Sequence, residues 1–279
     1  MKDNIQHHVS LPDPNKMLII ERIDYQNPYD YKKLHRHDYF ELIFVRDGNG
    51  SQLIDFSPYD VSEGDIYIIY PGQLHLMNRN TATGYLVQFR KDVFEYINPV
   101  RHYHLFFNSG KISCDVNTFN HLYDLIVRIK ELLTTTSTSS LTAHRAYSYL
   151  QIILITIAEL NNENLNHNKE HYILEDYLSL LTDNIHEKKK VSEYCALMNC
   201  SAEKLNDACK KSLGKNALEL IHEELILEIR RLMLLNELSY KEIAYQLNFD
   251  SQGNFNAFIK NKTGLTPKEL QQAVLDIYN

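Results

Sequence analysis

Residues 35–48 read HRHDYFELIFVRDG, and residues 64–78 read GDIYIIYPGQLHLMN. In an extended chain successive side chains alternate between faces. His35 and His37 therefore share a face, and Glu41 keeps their parity. Imidazole and carboxylate together suit two kinds of chemistry. They can ligate a mid-row transition ion, with His75 as a further ligand. They can also line a pocket for a small molecule, because a neutral imidazole both donates and accepts and a carboxylate fixes its tautomer. Tyr39 and Tyr70 offer rings for stacking in the same pocket. A different chemistry gathers further along the chain. Glu203, Asn206, Asp207, Lys210 and Lys211 form one group, and Gln252, Asn254, Asn256, Lys260 and Lys262 another. Their amide, carboxylate and ammonium groups can donate or accept hydrogen bonds and pair with charge on a polar partner.

The elements that must hold these residues change character along the chain. Residues 17–110 carry short aromatic and β-branched runs at 39–45, 66–70 and 85–89. Asp47-Gly48-Asn49-Gly50, Ser57-Pro58, Glu63-Gly64-Asp65 and Pro71-Gly72 punctuate them, which predicts strands joined by tight turns in a sandwich or barrel. The two histidine-containing stretches resemble the paired motifs of the cupin barrel. In metal-binding cupins the residues matching His35, His37, Glu41 and His75 hold a divalent ion. The second stretch departs from that pattern, with Pro-Gly in place of Pro-x-Gly. Phe44, Tyr67, Tyr85 and Phe89 are further candidates to line the interior. Helical period takes over at 117–133 and 142–160. The apolar stripe Tyr147, Leu150, Leu154 and Ile157 is expected to pair two subunits. Residues 161–170, rich in Asn, read as a linker.

Beyond the linker the sequence repeats a skeleton. One copy has Cys195, Asn199, Ser201, Leu205, Lys210, Gly214 and Glu219-Leu220. The other has Ala244, Asn248, Asp250, Phe255, Lys260, Gly264 and Glu269-Leu270. Asn tolerates the left-handed turn between two helices. Ser201, and Asp250 or Ser251, cap the next helix. Gly214 and Gly264 end it. Between the copies Leu218, Ile221, Leu225, Ile229 and Leu232 describe one long helix. Residues 183–272, above all SYKEIAYQLNFDSQGNFNAFIKNKTGLTPKEL, resemble the tandem helix-turn-helix of the AraC/XylS transcription regulators. The resemblance implies that each unit lays its second helix in a major groove, the two grooves about one turn apart. Glu203, Asn206 and Asp207 would then face bases in the first groove, and Gln252, Asn254 and Asn256 in the second. Lys210, Lys211, Lys260 and Lys262 would meet phosphate. The family's usual turn glycine is Asn199 or Asn248 here, and Cys209 replaces a preferred Phe.

Composition bounds these readings. The chain has 279 residues, enough for two domains, and 44% are hydrophobic. No apolar run is long enough to span a membrane. The start is polar, without the pattern of a signal peptide. The four cysteines form no CxxC pair, which suits reduced thiols in the cytoplasm. Net charge is −7, with −4 on residues 1–170 and −3 on the rest, so any contact with DNA rests on local charge. The expectation is a β-plus-α regulator. Residues 1–165 form a cupin-like effector-binding and dimerisation domain with two helices. Residues 171–279 form an all-α double helix-turn-helix. Its partners are promoter DNA, a small-molecule effector and a second copy, with RNA polymerase a further candidate. No stoichiometric metal, no cofactor and no catalysis are expected. The alternative is a metal-dependent cupin oxygenase or isomerase with a helical appendage.

Overall fold

The computed structural model describes residues 8–13, 15–25, 32–97, 110–135, 140–161 and 169–278. Most of the expected linker, 161–170, lies outside these residues. The chain divides into two compact units, Met1–Leu165 and Asn166–Asn279.

Among the described residues the first unit has ten strands: β1 (His8–Val9), β2 (Leu18–Arg22), β3 (Arg36–His37), β4 (Phe40–Asp47), β5 (Gly50–Ile54), β6 (Ser57–Val61), β7 (Ile66–Ile69), β8 (His75–Asn78), β9 (Thr83–Phe89) and β10 (Lys111–Ile112). Five of them form a sheet in the order β10-β7-β4-β9-β2, three form β6-β5-β8, and β1 pairs with β3. β4 is central, antiparallel to both β7 and β9. Its run of six buried residues, Phe40 to Val45, follows from being covered on both sides. Ile43 and Val45 join Ile54, Tyr67, Ile69, Met77 and Leu86 in an inner core between the sheets. Phe40, Leu42 and Phe44 join Ile66, Ile68, Val87 and Phe89 in an outer core. The ladder between β4 and β9 slips between Val45 and Asp47, opposite Gly84. A Cβ at Gly84 would run into the Phe44 carbonyl, and its φ of +147° suits glycine alone.

Two helices, α1 (Val116–Thr134) and α2 (Ser140–Asn161), cover the outer core. Asp115 caps α1, its carboxylate accepting from the Asn117 and Thr118 amides at 2.9 and 3.1 Å. Here the structure corrects one expectation. Tyr147, Leu150, Leu154 and Ile157 do not face outward to pair subunits; they are buried in the outer core with Phe119, Leu122 and Ile126 of α1. The reason is that the outer face of the sheet is itself apolar and needs a cover. Each leucine so buried is worth about 1.5–3 kcal/mol. The opposite face of α2 exposes Leu141, Ile152 and Ile155.

The second unit consists of α3 (Lys169–Asn184), α4 (Val191–Met198), α5 (Ala202–Leu213), α6 (Ala217–Leu235), α7 (Tyr240–Gln246), α8 (Gln252–Thr263) and α9 (Pro267–Tyr278). The repeat folds twice the same way. Asn199 and Asn248 stand left-handed at φ 48° and 50°. Ser201 accepts from the Lys204 amide at 3.2 Å, and Ser251, not Asp250, accepts from the Asn254 amide at 3.1 Å. Gly214 and Gly264 close α5 and α8 at φ 69° and 75°. α6 is the long helix between the copies. It buries Leu220, Ile221, Leu225, Ile229 and Leu232, while Leu218, assigned to that stripe from spacing, is exposed.

Candidate functional site

One end of the inner core is polar. The register aligns Ile69, Glu41, Gln88 and Ile19 across four strands. Glu41 and Gln88 are both buried, and Gln88 donates from Nε2 to Glu41 at 2.6 Å. His35 and His75 exchange both backbone hydrogen bonds, at 3.1 and 2.9 Å, which sets their rings 4.3 Å apart. His37 lies 4.8 Å from the His75 ring and stacks on Tyr39 at 3.9 Å. Since a carbonyl only accepts, His37 donates Nδ1–H to Tyr39 O at 2.7 Å, and His35 donates Nδ1–H to Lys33 O at 2.9 Å. In its neutral form each of these rings therefore keeps Nε2 as the acceptor atom.

His75 differs. Among the described residues neither of its ring nitrogens has a hydrogen-bond partner, though both are buried. Burial, then the neighbouring His35 and His37, hold its pKa well below the ordinary histidine value. Burial also raises the Glu41 carboxyl, against the lowering effect of Gln88. Glu41 lies 4.0 Å from His75 Nδ1. One ligand atom each from His37, Glu41 and His75 falls within 4.8 Å of the others. This donor set suits a borderline divalent ion, and the same atoms suit the polar head of an organic molecule.

The structure therefore brings together His35, His37, Glu41, His75 and Tyr39. Tyr70 is placed elsewhere: it lies in the outer core, edge-on to Phe40. Phe44 and Phe89 also belong to the outer core, with Tyr85 packed against it. Tyr67 faces inward but bonds to Asp65 and the Asp60 carbonyl. Two residues escaped the sequence reading. Gln88 hides in the run YLVQF, and Gln52 is 1% exposed, with no partner for either amide atom among the described residues. Gln52 pairs with Met77 on the inward face that also carries His75. An amide at an inward position of an apolar strand was the available signal.

In the second unit α5 and α8 each present a polar outer face. Glu203, Asp207, Lys210 and Lys211 are exposed on α5; Gln252, Asn254, Asn256, Lys260 and Lys262 are exposed on α8. Asn206 is different. It is half-buried, and its Oδ1 accepts from the Ala217 amide at 2.9 Å, capping the start of α6. Lys260 donates to the Gly264 carbonyl at 2.6 Å at the end of its own helix. A tie unseen in the sequence joins the two repeats. Lys189, just before α4, donates to Asn248 O at 2.9 Å and lies 5.2 Å over the Phe249 ring. Asn248 in turn donates to Glu187 O at 3.2 Å.

Two family models match this chain. An AraC-like ligand binding domain matches residues 18–141, and a helix-turn-helix domain matches residues 194–273. The transcriptional activator RhaS of Enterobacter sp. (strain 638) is 18% identical over 249 residues, covering 85% of this chain and 87% of that one. The activator RhaR of Mannheimia succiniciproducens is 20% identical over 273 residues, covering 95% of each. Among solved structures, wild-type ToxT of Vibrio cholerae bound to an unsaturated fatty acid is 15% identical. It covers 94% of this chain and 97% of that one at a TM-score of 0.40, too low to equate single residues of the two.

Proposed function

Because this chain belongs to the AraC family of transcription regulators, we propose that α5 and α8 read promoter DNA while the polar end of the inner core binds a small effector. The duplicated helix-turn-helix, capped by Asn, Ser and Gly at matching positions in both copies, carries the DNA reading. Gln252, Asn254 and Asn256 contact base edges; Lys260 and Lys262 contact phosphate. On α5, Glu203 and Asp207 face bases and Lys210 and Lys211 face phosphate. Asn206 is left out of this set because its carbonyl is committed to α6. The effector engages His35, His37, Glu41 and His75 beside Tyr39, and acts only through a difference in affinity between DNA-competent and incompetent arrangements. The protein works in the cytoplasm as a homodimer, paired through the exposed face of α2, and RNA polymerase is a further partner. It is a regulator and not an enzyme.

Selection of duplexes from a random pool by the full chain tests the DNA reading. A shared motif with two half-sites about one helical turn apart is the expected result. Recovery of unrelated sequences with no enrichment overturns it.

One observation favours a metal as the effector or part of it. The two unpartnered, buried nitrogens of His75 face a carboxylate and a second imidazole. His37, Glu41 and His75 fit a divalent transition ion, which would supply a positive charge to bind an anionic effector. Elemental analysis of untagged protein decides it. One equivalent of metal, lost in His75→Ala, establishes the metal reading; none after dialysis against iron, zinc, manganese or nickel removes it.

A further inference from the structure

We propose that Cys195 and Cys200 are a reversible thiol–disulfide pair built into the turn of the first helix-turn-helix. α4 ends with two reverse hydrogen bonds around left-handed Asn199. The Asn199 amide donates to Ala196 O at 3.4 Å, and the Cys200 amide donates to Cys195 O at 3.1 Å. This closing motif brings together the side chains of the two residues joined by the outer bond. In the second copy the same bonds run from Asn248 to Tyr245 O at 3.0 Å and from Phe249 to Ala244 O at 2.9 Å. There the paired side chains are alanine and phenylalanine, an ordinary apolar contact. In the first copy both positions are cysteine, so the same 3.1 Å backbone bond from Cys200 to Cys195 sets two thiols side by side.

Access distinguishes this pair from the other cysteine of the unit. Cys195 and Cys200 are partly exposed, whereas Cys209 is buried and its thiol is pushed up to about 12. A buried thiol of that kind is inert. The oxidant is a low-molecular-weight disulfide. The Cys200 thiolate attacks one of its sulfurs and releases one thiolate, leaving a mixed disulfide. The Cys195 thiolate then attacks the Cys200 sulfur and releases the second. The two protein thiols are oxidised, the small disulfide is reduced to two thiols, and the two protons pass to solvent or to the released thiolates. Excess small thiol runs the exchange backwards.

The closed form pulls on α5. A bond of about 2.0 Å replaces a non-bonded contact. Cys200 directly precedes Ser201, whose side chain caps α5. The strain therefore falls on the first turn of α5, where Glu203 is exposed. The second copy has no thiols in its turn and is unaffected.

The test uses the full chain. The DNA arm rests on the function proposed above, but the chemical arm does not, so the two fail separately. Trypsin cuts after Lys190 and Lys204, so one peptide, residues 191–204, holds Cys195 and Cys200 and no other cysteine. After equilibration with oxidised glutathione that peptide is expected two hydrogen masses lighter, restored by reduced glutathione. Persistent glutathione adducts, or two unchanged thiols, overturn the pair. Affinity for a duplex selected by the reduced protein is expected to fall roughly tenfold on closure, the scale of one or two lost contacts. Cys195→Ala, which copies Ala244 of the second turn, should bind DNA like the reduced parent and be insensitive to oxidant. Cys200→Ser should behave likewise. Closure without any change in affinity overturns the switch.

Discussion

Asn206 and Asn254 are the same residue type on corresponding helices, yet they do different work. Asn254 is exposed on the outer face of α8, while the Asn206 carbonyl is spent on the Ala217 amide. Asn254→Ala should relax base preference and cost ~1–3 kcal/mol at the preferred base, read by binding to a panel of single-base variants. Asn206→Ala should leave base preference alone and lower thermal stability by about 1 kcal/mol, because it strips an amide at the start of α6 of its acceptor. If Asn206→Ala shifts base preference instead, it belongs in the groove. Lys260→Ala should weaken all duplexes alike and reduce the salt slope by about one. Spacing alone told Asn254 from its apolar neighbours. It did not separate Asn206 from a base reader, because the partner amide sits eleven positions further on and only the crossing of two helices brings it near.

At the scale of elements, period was legible and neighbours were not. The step of three and four put Leu150, Leu154 and Ile157 on one stripe of α2, and the structure agrees. What the stripe meets depends on how much apolar surface the sheet leaves uncovered, and no local pattern records that. The two-sided apolar run of β4 was the one available hint, since a half-solvated strand would alternate. The two faces of α2 now make separable predictions. Ile152→Glu with Ile155→Glu should give a folded monomer with weakened operator binding, measured by sedimentation and titration. Leu150→Glu should cost several kcal/mol and lose the fold, because a charge is buried without a partner. Parent protein that sediments as a monomer at micromolar concentration removes the dimer. The turns were easier to read, because Asn, Ser and Gly each do a local job. Asn248→Ala should destabilise the second unit by roughly 1–2 kcal/mol through the left-handed backbone alone, with the tie to Lys189 weakened besides. Equal melting temperatures for parent and variant would contradict that.

For the molecule as a whole, a net charge of −7 is set against a function that needs phosphate contacts. Among the described residues no helix is long and apolar enough to cross a membrane. Each of the two units holds its own buried core. Residues 166–279 should therefore fold alone and bind the selected duplex, with a salt slope matching the few lysines of α5 and α8 rather than a large basic patch; titration across ionic strength reads it. A fragment that is unfolded, or a slope near zero, would refute this. The central strand has one more consequence. Phe40, Glu41 and Leu42 are consecutive, and they face alternately the core beneath α1 and α2 and the polar end of the barrel. Glu41 cannot shift without tilting the peptide planes on either side, and those planes carry the residues on which the two helices rest. Ligand binding at one face should thus be heard on the other as slowed deuterium uptake along α1 and α2, with no ligand atom near either helix.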